Sequence, residues 1–261
     1  GLGDVYKRQL RLCLTYQKEY LIIGNGSNLL VSDKGISGVV IEIGKQMDEI
    51  TVDGTTIYAQ AGAMLSKTAH AALEAGLTGM EFAAGIPGCV GGAVVMNAGA
   101  YGGEMKDILK SVTVLTADGQ EKELTPGELD MSYRHSSITE EHYMVLGVTI
   151  ALEAGSQEQI RAKMEELKEK RVEKQPLEYP SAGSTFKRPE GYFAGKLIMD
   201  AGLRGFQVGG AAVSEKHCGF VINKGGATAS DVVELIRDVQ HDVDDKFGVT
   251  LEPEVKMLGE F

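Results

Sequence analysis

Glycine accounts for seven of the nineteen residues in the segment 85–103. An interior glycine destabilises a helix or strand by about 0.5–1 kcal/mol relative to alanine, so this density argues against a packed helix or strand. Apolar Val90, Val94, Val95 and Met96 are interleaved with the glycines, which argues against a solvated linker. The pattern predicts buried backbone lying very close to another group, either a flat cofactor or the pyrophosphate of a nucleotide. Tight turns between core segments are the alternative that glycine density alone leaves open.

The charge balance of the chain restricts what it can bind. With 26 basic and 37 acidic residues the formal net charge is −11, whereas a nucleic-acid surface needs a basic stripe that neutralises phosphates. An anionic small molecule needs only a few local cations, so the charge does not exclude one. We therefore expect small-molecule partners and no nucleic acid, and no obligate protein partner is evident.

The cysteines and the hydropathy pattern indicate a cytoplasmic protein. Cys13, Cys89 and Cys218 are scattered and lack the spacing of a metal site, as expected in a reducing compartment. The chain has no run of about 18 apolar residues and no leader-like N-terminal pattern, so no membrane partner is predicted. Its 261 residues can form one large domain or two of ordinary size.

Hydrophobic periodicity predicts mostly strands up to about residue 152, and a shift in composition places a domain boundary near Gly155. Residues 1–9 show neither helical nor strand periodicity and are left out of the fold interpretation. The predicted strands are 20–23, 39–43, 143–152, 219–223 and the extended 249–258, with hairpins around Asp53-Gly54 and Asp118-Gly119. The predicted helices cover 65–76, 157–174, 196–201 and 230–247.

A short polar turn, Gly24-Asn25-Gly26-Ser27-Asn28, follows the first predicted strand. It lacks the third glycine and the following helix of a dinucleotide fingerprint, so a Rossmann interpretation is weak. A turn whose backbone N–H groups and Asn and Ser side chains hold phosphate oxygens fits better. A plain turn between two strands is the structural alternative.

Three distant segments supply an arginine, a serine and a carboxylate. Arg134 lies in a polar loop between two strands, Ser184 stands beside two cations in a loop flanked by proline and glycine, and Glu254 lies near the C-terminus. Together they are the ingredients for polarising a carboxylate and supplying a proton. Singly, each has a plainer explanation, as a surface arginine, a turn-capping serine and an exposed carboxylate.

Other common catalytic motifs are missing from the sequence. There is no Gly-x-Ser-x-Gly elbow and no Gly-x-x-x-x-Gly-Lys-Ser/Thr loop, so hydrolase and P-loop ATPase interpretations have little support. The histidines lack the paired spacing of a metal site, and all are interpreted as structural or surface residues: His70, His135, His142, His217 and His241. No metal is predicted.

Taken in order and spacing, these segments resemble the UDP-N-acetylenolpyruvoylglucosamine reductases, flavoenzymes of bacterial peptidoglycan precursor synthesis and thus of cell wall biogenesis. The matching segments extend over about residues 20–258: 24–30, 85–88 through 99–102, 133–136, 174–176, 182–189 and 251–255. The resemblance implies an α+β fold with an FAD-binding domain of the vanillyl-alcohol oxidase (PCMH) type, followed by an α+β substrate-binding domain.

The resemblance also implies domain limits. The FAD-binding domain would cover 10–154, in subdomains of roughly 10–62 and 63–154. The substrate-binding domain would cover 155–261, with the final strand 249–258 returning toward the flavin. The short region 187–221 is similar to the compact type of these reductases, which lacks a tyrosine-bearing loop over the substrate.

The same resemblance assigns roles to individual residues. NADPH would reduce FAD, whose N5 would pass hydride to the enolpyruvyl double bond and give UDP-N-acetylmuramate. The catalytic residues would be Arg134 and a protonated Glu254, which hold the substrate carboxylate, and Ser184, which donates the proton. The implied FAD contacts are Gly24, Asn25, Gly26, Ser27, Asn28, Ile86, Pro87, Gly88, Gly91, Gly92, Asn97, Gly99 and Tyr101. The implied substrate contacts are Tyr133, Lys174, Lys187 and Arg188, with Lys174 and Arg188 at the diphosphate.

Two other functions are compatible with parts of this pattern. An FAD-dependent sugar or alcohol oxidase would share the flavin-binding part, and its usual covalent tether would have to use Cys89, because neither glycine-rich segment contains a histidine. A nucleotide-sugar binding protein without catalysis would not need Ser184 or Glu254. An absorbance spectrum that reports bound flavin and its response to NADPH distinguishes the three.

Overall fold

A computed structural model describes residues 3–261 and divides them into two units by their internal contacts. The first unit contains the described residues up to Gly26 together with Gly38–Glu169, and the second contains Ser27–Ser37 together with Lys170–Phe261. The sequence-based limits 10–154 and 155–261 stay a prediction. No helix among the described residues is long and apolar enough to cross a bilayer.

The described chain contains both helices and strands along its length. The helices are α1 Asp4–Thr15, α2 Leu65–Glu74, α3 Val90–Val95, α4 Met105–Ile108, α5 Gln157–Lys174, α6 Ala194–Asp200 and α7 Ala229–Phe247, with 3-10 turns at Lys45–Met47 and Glu81–Ala83. The strands are β1 Tyr20–Ile23, β2 Leu29–Val31, β3 Val39–Glu42, β4 Ile50–Asp53, β5 Thr56–Gln60, β6 Leu77–Thr78, β7 Gly99–Ala100, β8 Gly103–Glu104, β9 Leu109–Leu115, β10 Glu121–Leu124, β11 Met144–Ala151, β12 Glu153–Ala154, β13 Gln207–Val208, β14 Ala211–Val213, β15 Val221–Asn223 and β16 Lys256–Leu258.

A five-stranded antiparallel sheet in the order β10-β9-β11-β5-β4 forms the centre of the first unit. Its middle strand β11 is buried at nearly every position, as expected for a strand that is apolar on both faces. Helix α2 buries Leu65, Ala69, Ala72 and Leu73 in the same core and stops before Gly76, whose φ of +67° suits a helix terminus. Strands β1 and β3 form a separate parallel pair.

The second unit has its own core around helix α7. The apolar face of α7 buries Val233, Ile236, Val239 and Val243, together with the three-stranded antiparallel sheet β13-β14-β15. Strand β2, from the inserted segment 27–37, pairs in parallel with β16. Asp33 of that segment accepts hydrogen bonds from the backbone N–H groups of Ala229 (2.7 Å) and Ser230 (3.0 Å) at the start of α7. The inserted segment is therefore a structural part of this unit.

Most of the predicted elements are confirmed, including both hairpins and the helix at Gln157–Lys174. The first hairpin turn comprises Gly54 and Thr55, because Asp53 already pairs with Thr56. The prediction for 249–258 is wrong in extent, since only Lys256–Leu258 forms a strand.

The prediction for the N-terminus is wrong. Helix α1 begins at Asp4, and its buried residues Tyr6, Leu10 and Cys13 recur every three or four positions. That period becomes visible only when residues 4–9 are considered together with the six that follow. Residues 1 and 2 lie outside the described part of the chain.

The glycine-rich segment contains a helix, so the prediction against one is also wrong. Helix α3 contains both Gly91 and Gly92. A Cβ at Gly91 would lie 3.0 Å from Cβ of Ala61, so the backbone of α3 packs directly on that residue. Close tertiary packing therefore outweighs the low helix propensity of glycine here.

Candidate functional site

Arg134 lies at the tip of a tight turn in the first unit. The backbones of Ser132 and His135 exchange two hydrogen bonds, of 3.1 and 3.2 Å. Between them Arg134 adopts a φ of +54°, in the left-handed region that disfavours a side chain with a Cβ. Such backbone strain persists only where surrounding contacts impose it, and it is frequent at functional sites.

The contacts that impose this conformation come from the glycine-rich segment. Arg134 Nη2 donates a hydrogen bond to the carbonyl of Gly99 (3.1 Å), and Ser136 Oγ donates one to the carbonyl of Val95 (2.8 Å). The Arg134 guanidinium carbon lies 4.9 Å from the ring centre of Tyr133, which is itself exposed. Two segments that the sequence predicted separately, 133–136 and 85–103, therefore meet in the structure.

Asn97 holds the two segments together. Its side chain is fully buried, and Nδ2 donates to the Ser132 carbonyl (2.9 Å) and to Glu104 Oε2 (2.7 Å). Its Oδ1 accepts from the backbone N–H of Lys106 at 2.9 Å. The amide is thus used inside the chain, so the observed role of this predicted FAD contact is to fix the Arg134 turn. Glu104 and Lys106 were missed by sequence reasoning, because no local pattern links them to residue 97.

The glycines near the predicted FAD site are glycine for different reasons. At Gly103 a Cβ would lie 2.6 Å from the Phe82 ring, so internal packing requires glycine there, and at Gly24 a Cβ would collide with Cys89 Sγ. Gly92 is different, because it is exposed, its φ is not positive, and the nearest neighbour of a Cβ would be Cys89 Sγ at 3.7 Å.

Neither backbone strain nor packing within the chain explains Gly92. A ligand that lies against bare helix backbone does explain it, so the residues present fit a flat cofactor such as FAD. The other predicted FAD contacts vary in exposure: Asn25, Gly26, Pro87 and Tyr101 are exposed, Gly24, Ser27, Asn28, Ile86 and Gly99 are partly buried, and Gly88 and Gly91 are buried.

In the second unit the segment around Ser184 lies between two others. On one side Ser184 forms a backbone bridge with Phe220, and on the other the N–H of Glu254 donates to the carbonyl of Thr185 at 2.8 Å. Ser184 is exposed and Glu254 is partly buried. The structure therefore brings these two predicted catalytic residues onto neighbouring backbone segments.

Asn28 joins the same arrangement. Its Nδ2 donates to the backbone carbonyl of Glu254 (3.2 Å), and its own carbonyl accepts from the N–H of Lys256 at 3.0 Å. A residue predicted to bind FAD is thus attached to the segment that carries a predicted catalytic carboxylate.

The predicted substrate-binding cations of this unit have different surroundings. Lys187 forms an ion pair with Glu252. Arg188 donates from Nε to the Tyr192 carbonyl (3.3 Å), and its guanidinium carbon lies 4.0 Å from the ring centre of Phe193, a cation–π distance. Lys174 is exposed at the end of α5.

Burial lowers the pKa of His217, and the positive charge of Lys174 lowers it further. Among the described residues, no three His, Cys, Asp or Glu side chains are grouped to hold a metal ion.

Comparisons with known proteins identify the family. Residues 175–258 match the family model described as the C-terminal domain of UDP-N-acetylenolpyruvoylglucosamine reductase, and residues 6–125 match an FAD binding domain. The UDP-N-acetylenolpyruvoylglucosamine reductase of Agathobacter rectalis is 64% identical over 252 residues, covering 92% of this chain and 80% of the relative. That of Clostridium perfringens is 56% identical over 250 residues, covering 96% and 82%. The chain belongs to the UDP-N-acetylenolpyruvoylglucosamine reductase family.

A solved structure agrees with this assignment. The crystal structure of UDP-N-acetylenolpyruvylglucosamine reductase from Thermus caldophilus matches 95% of this chain and 88% of its own, with a TM-score of 0.84 and 38% sequence identity. The sequence-based prediction of the family is therefore confirmed. So is the predicted fold, an FAD-binding domain followed by the C-terminal domain of this reductase family.

The predicted site residues of this reductase family member are divided between the matched regions. The predicted FAD contacts all lie within 6–125, whereas Ser184, Lys187, Arg188 and Glu254 lie within 175–258. Tyr133, Arg134 and Lys174 lie between the two. The convergence of Arg134 with Ser184 and Glu254 stays a prediction.

Proposed function

We propose that this chain reduces the enolpyruvyl ether of UDP-N-acetylenolpyruvoylglucosamine to UDP-N-acetylmuramate, with FAD as cofactor and NADPH as reductant. The observation that carries the proposal is family membership at 64% identity across both matched domains. When bound, FAD supplies a hydride acceptor for NADPH and a hydride donor for the carbon–carbon double bond of the substrate.

The catalytic side chains stabilise the negative charge that forms in this reduction and supply the proton that completes it. Hydride addition leaves negative charge next to the substrate carboxylate, so a cation already in place stabilises the transition state more than the ground state. Arg134 provides that cation, and a protonated Glu254 donates a hydrogen bond to the same carboxylate. The Ser184 hydroxyl then gives its proton to the carbon that bears the charge.

The binding residues separate into a cofactor group and a substrate group. Residues 24–28, 86–88, 91 and 92, together with Gly99 and Tyr101, would hold FAD, with Gly92 allowing close approach of backbone to ligand. Lys174 and Arg188 attract the diphosphate of the substrate, while Tyr133 and Lys187 complete the substrate contacts. These local cations allow a chain with a net charge of −11 to bind an anionic ligand.

We also infer that the reaction takes place in the cytoplasm. The support is the cysteine content: Cys13, Cys89 and Cys218 are all free thiols, as is usual in a reducing compartment.

The Ser184→Ala variant tests the proposed function. Because the hydroxyl acts only after hydride transfer to substrate, flavin reduction by NADPH should proceed at the wild-type rate. Reoxidation by the enolpyruvyl substrate should slow by roughly 10²–10⁴-fold, the usual contribution of a positioned proton donor. Stopped-flow absorbance of the flavin measures both half-reactions.

Ser181→Ala is the matched control, since Ser181 is an exposed serine of the same loop. If Ser184→Ala slowed both half-reactions equally, Ser184 would not be the proton donor. Flavin that does not respond to NADPH would instead favour an oxidase, and purified protein without flavin would favour a binding protein.

A further inference from the structure

A compact turn at 214–221 borders the Ser184 segment in the second unit. Ser214 is almost fully buried, and its Oγ accepts hydrogen bonds from the backbone N–H groups of Lys216 (3.2 Å) and His217 (3.3 Å). The Ser214 N–H donates to the Phe220 carbonyl (2.9 Å), and the Phe220 N–H donates to the His217 carbonyl (3.0 Å). These bonds define the backbone of the turn on both sides of His217.

The His217 imidazole closes the turn from inside. Its Nδ1 accepts the backbone N–H of Gly219 at 3.1 Å, which requires the neutral ring with its proton on Nε2. The ring also meets Phe220 edge-on, with centres 5.0 Å apart at 72°. In α6, a Cβ at Gly195 would lie 3.1 Å from the Gly219 nitrogen and 3.3 Å from His217 Cε1. The imidazole and its hydrogen bond are thus enclosed from two directions.

Gly219 in turn holds the Ser184 segment. Its carbonyl accepts the N–H of Thr185 (2.8 Å), and Thr185 Oγ1 accepts the buried N–H of Val221 at 2.9 Å. The same Thr185 offers its carbonyl to the N–H of Glu254. One continuous series of hydrogen bonds therefore runs from the His217 ring to Thr185, the residue next to Ser184, and on to the backbone of Glu254.

We propose that His217 is a positioning residue of the reductase, whose neutral imidazole fixes Gly219 and through it the placement of Ser184 and Glu254. This inference rests on the proposed function. Lys174 at the end of α5 is close enough for its charge to act on the ring. The titratable neighbours of His217 within the turn are Glu215, Lys216 and Cys218, of which Lys216 donates from Nζ to the Val172 carbonyl (2.7 Å).

Two substitutions separate the hydrogen bond from the bulk of the ring. In His217→Asn the side-chain oxygen can accept the N–H two residues on, as asparagine does in an Asx turn. In His217→Phe an aromatic ring remains against Phe220, but the acceptor for Gly219 is lost. We expect His217→Phe to slow flavin reoxidation by substrate roughly tenfold, the effect of one lost hydrogen bond, with flavin reduction by NADPH unchanged. We expect His217→Asn to restore most of the rate.

Hydrogen exchange gives a readout independent of activity. The Gly219 and Thr185 amides should exchange slowly in the wild type and in His217→Asn, and faster in His217→Phe. Equal behaviour of the two variants in rate or exchange would overturn the inference, as would equal slowing of both half-reactions.

Two further variants keep the test decisive. If His217→Phe does not fold, Gly195→Ala serves in its place, because it favours the helix yet presses on the same imidazole and amide. It should slow reoxidation selectively, and a wild-type rate would contradict the inference. If Ser184→Ala is slow while His217→Phe is normal, only this inference fails. If Ser184→Ala is fully active, the proposed role of Ser184 fails as well.

Discussion

Asn97 shows how one buried amide can organise a functional loop. Its side chain makes three hydrogen bonds, two as donor and one as acceptor. In Asn97→Asp, a carboxylate would face Glu104 and the Ser132 carbonyl, so acceptors would meet acceptors. We expect this variant to lower the free energy of unfolding by about 2–3 kcal/mol in urea denaturation, the range for buried polar groups left unsatisfied.

Asn223→Asp is the matched control for this prediction. The Oδ1 atom of Asn223 only accepts, from the N–H groups of Gly225 (2.8 Å) and Ala227 (3.2 Å), and aspartate can do the same. If both variants were equally stable, the amide of Asn97 would not be what fixes the Arg134 turn.

His217 makes the stability of the protein depend on pH near neutrality. Because burial and Lys174 lower its pKa, the folded state binds fewer protons than the unfolded state below the ordinary imidazole value of about 6.5. The free energy of unfolding should therefore fall as the pH drops below about 6.5, and His217→Asn should remove that part of the decrease. Urea titrations between about pH 5 and 8 measure it. Carboxylates with lowered pKa, such as Asp33 and Asp231, act only at more acidic pH.

At the scale of single residues, the sequence predicts which side chains could be reactive better than it predicts which residues hold them in place. Arg134, Ser184 and Glu254 can be proposed from the sequence because the segments around them match a family pattern. The support of the Arg134 turn by Asn97, and of the Ser184 segment by His217, depends on partners far away in the chain. No local period or spacing signals such contacts, and the sequence-based interpretation of His217 as structural or surface carried no hint of them.

Among the secondary-structure elements, helix α3 contains two glycines whose surroundings differ. Gly91 packs on Ala61, whereas Gly92 has room for a side chain. Glycine density correctly indicated close approach of backbone, but it could not tell approach within the chain from approach to a ligand. Only the space around each Cβ position makes that distinction.

Gly92→Val tests the location of FAD. A Cβ at this exposed position would meet no atom outside its own helix closer than Cys89 Sγ at 3.7 Å, so we expect the fold to be kept. We expect the bound FAD per chain, measured by absorbance after purification, to fall at least tenfold, since the added side chain would occupy cofactor space; a fall of that size corresponds to about 1.4 kcal/mol or more of lost binding.

Gly127→Val is the control, because Gly127 is also exposed, has no positive φ and lies in the same unit. Circular dichroism checks the fold of both variants. If Gly92→Val kept the wild-type FAD content, the cofactor would not lie against α3.

For the whole molecule, the segment 27–37 is the least predictable feature. The sequence shows no change of composition there, yet the segment belongs with residues 170–261. The reason is long-range: β2 pairs with β16, and Asp33 caps α7. Contacts over such separations leave no periodic signal, whereas both hairpins and the helices α2, α5, α6 and α7, whose contacts are local, were predicted from the sequence.

Asp33→Ala measures what the inserted segment contributes. Its carboxylate accepts three hydrogen bonds at the start of α7, and these hold its pKa below the usual range. The variant should lower the melting temperature by about 2–4 °C, as expected for loss of a helix cap in a protein of this size. Asp242→Ala, an exposed position on the same helix, should not lower it. A melting temperature unchanged in Asp33→Ala would mean that the other contacts of the segment, such as the pairing of β2 with β16, are sufficient to attach it.

The pairing of β2 with β16 also sets an order of events during protein synthesis. Asn28 and its partner Glu254 are separated by 226 positions, and a ribosome adds about 5–20 residues per second. The early segment therefore waits about 10–45 s before its partner strand leaves the exit tunnel. Throughout that interval the apolar Leu29 and Leu30 belong to an unpaired strand edge, which is the kind of surface that nascent-chain chaperones cover.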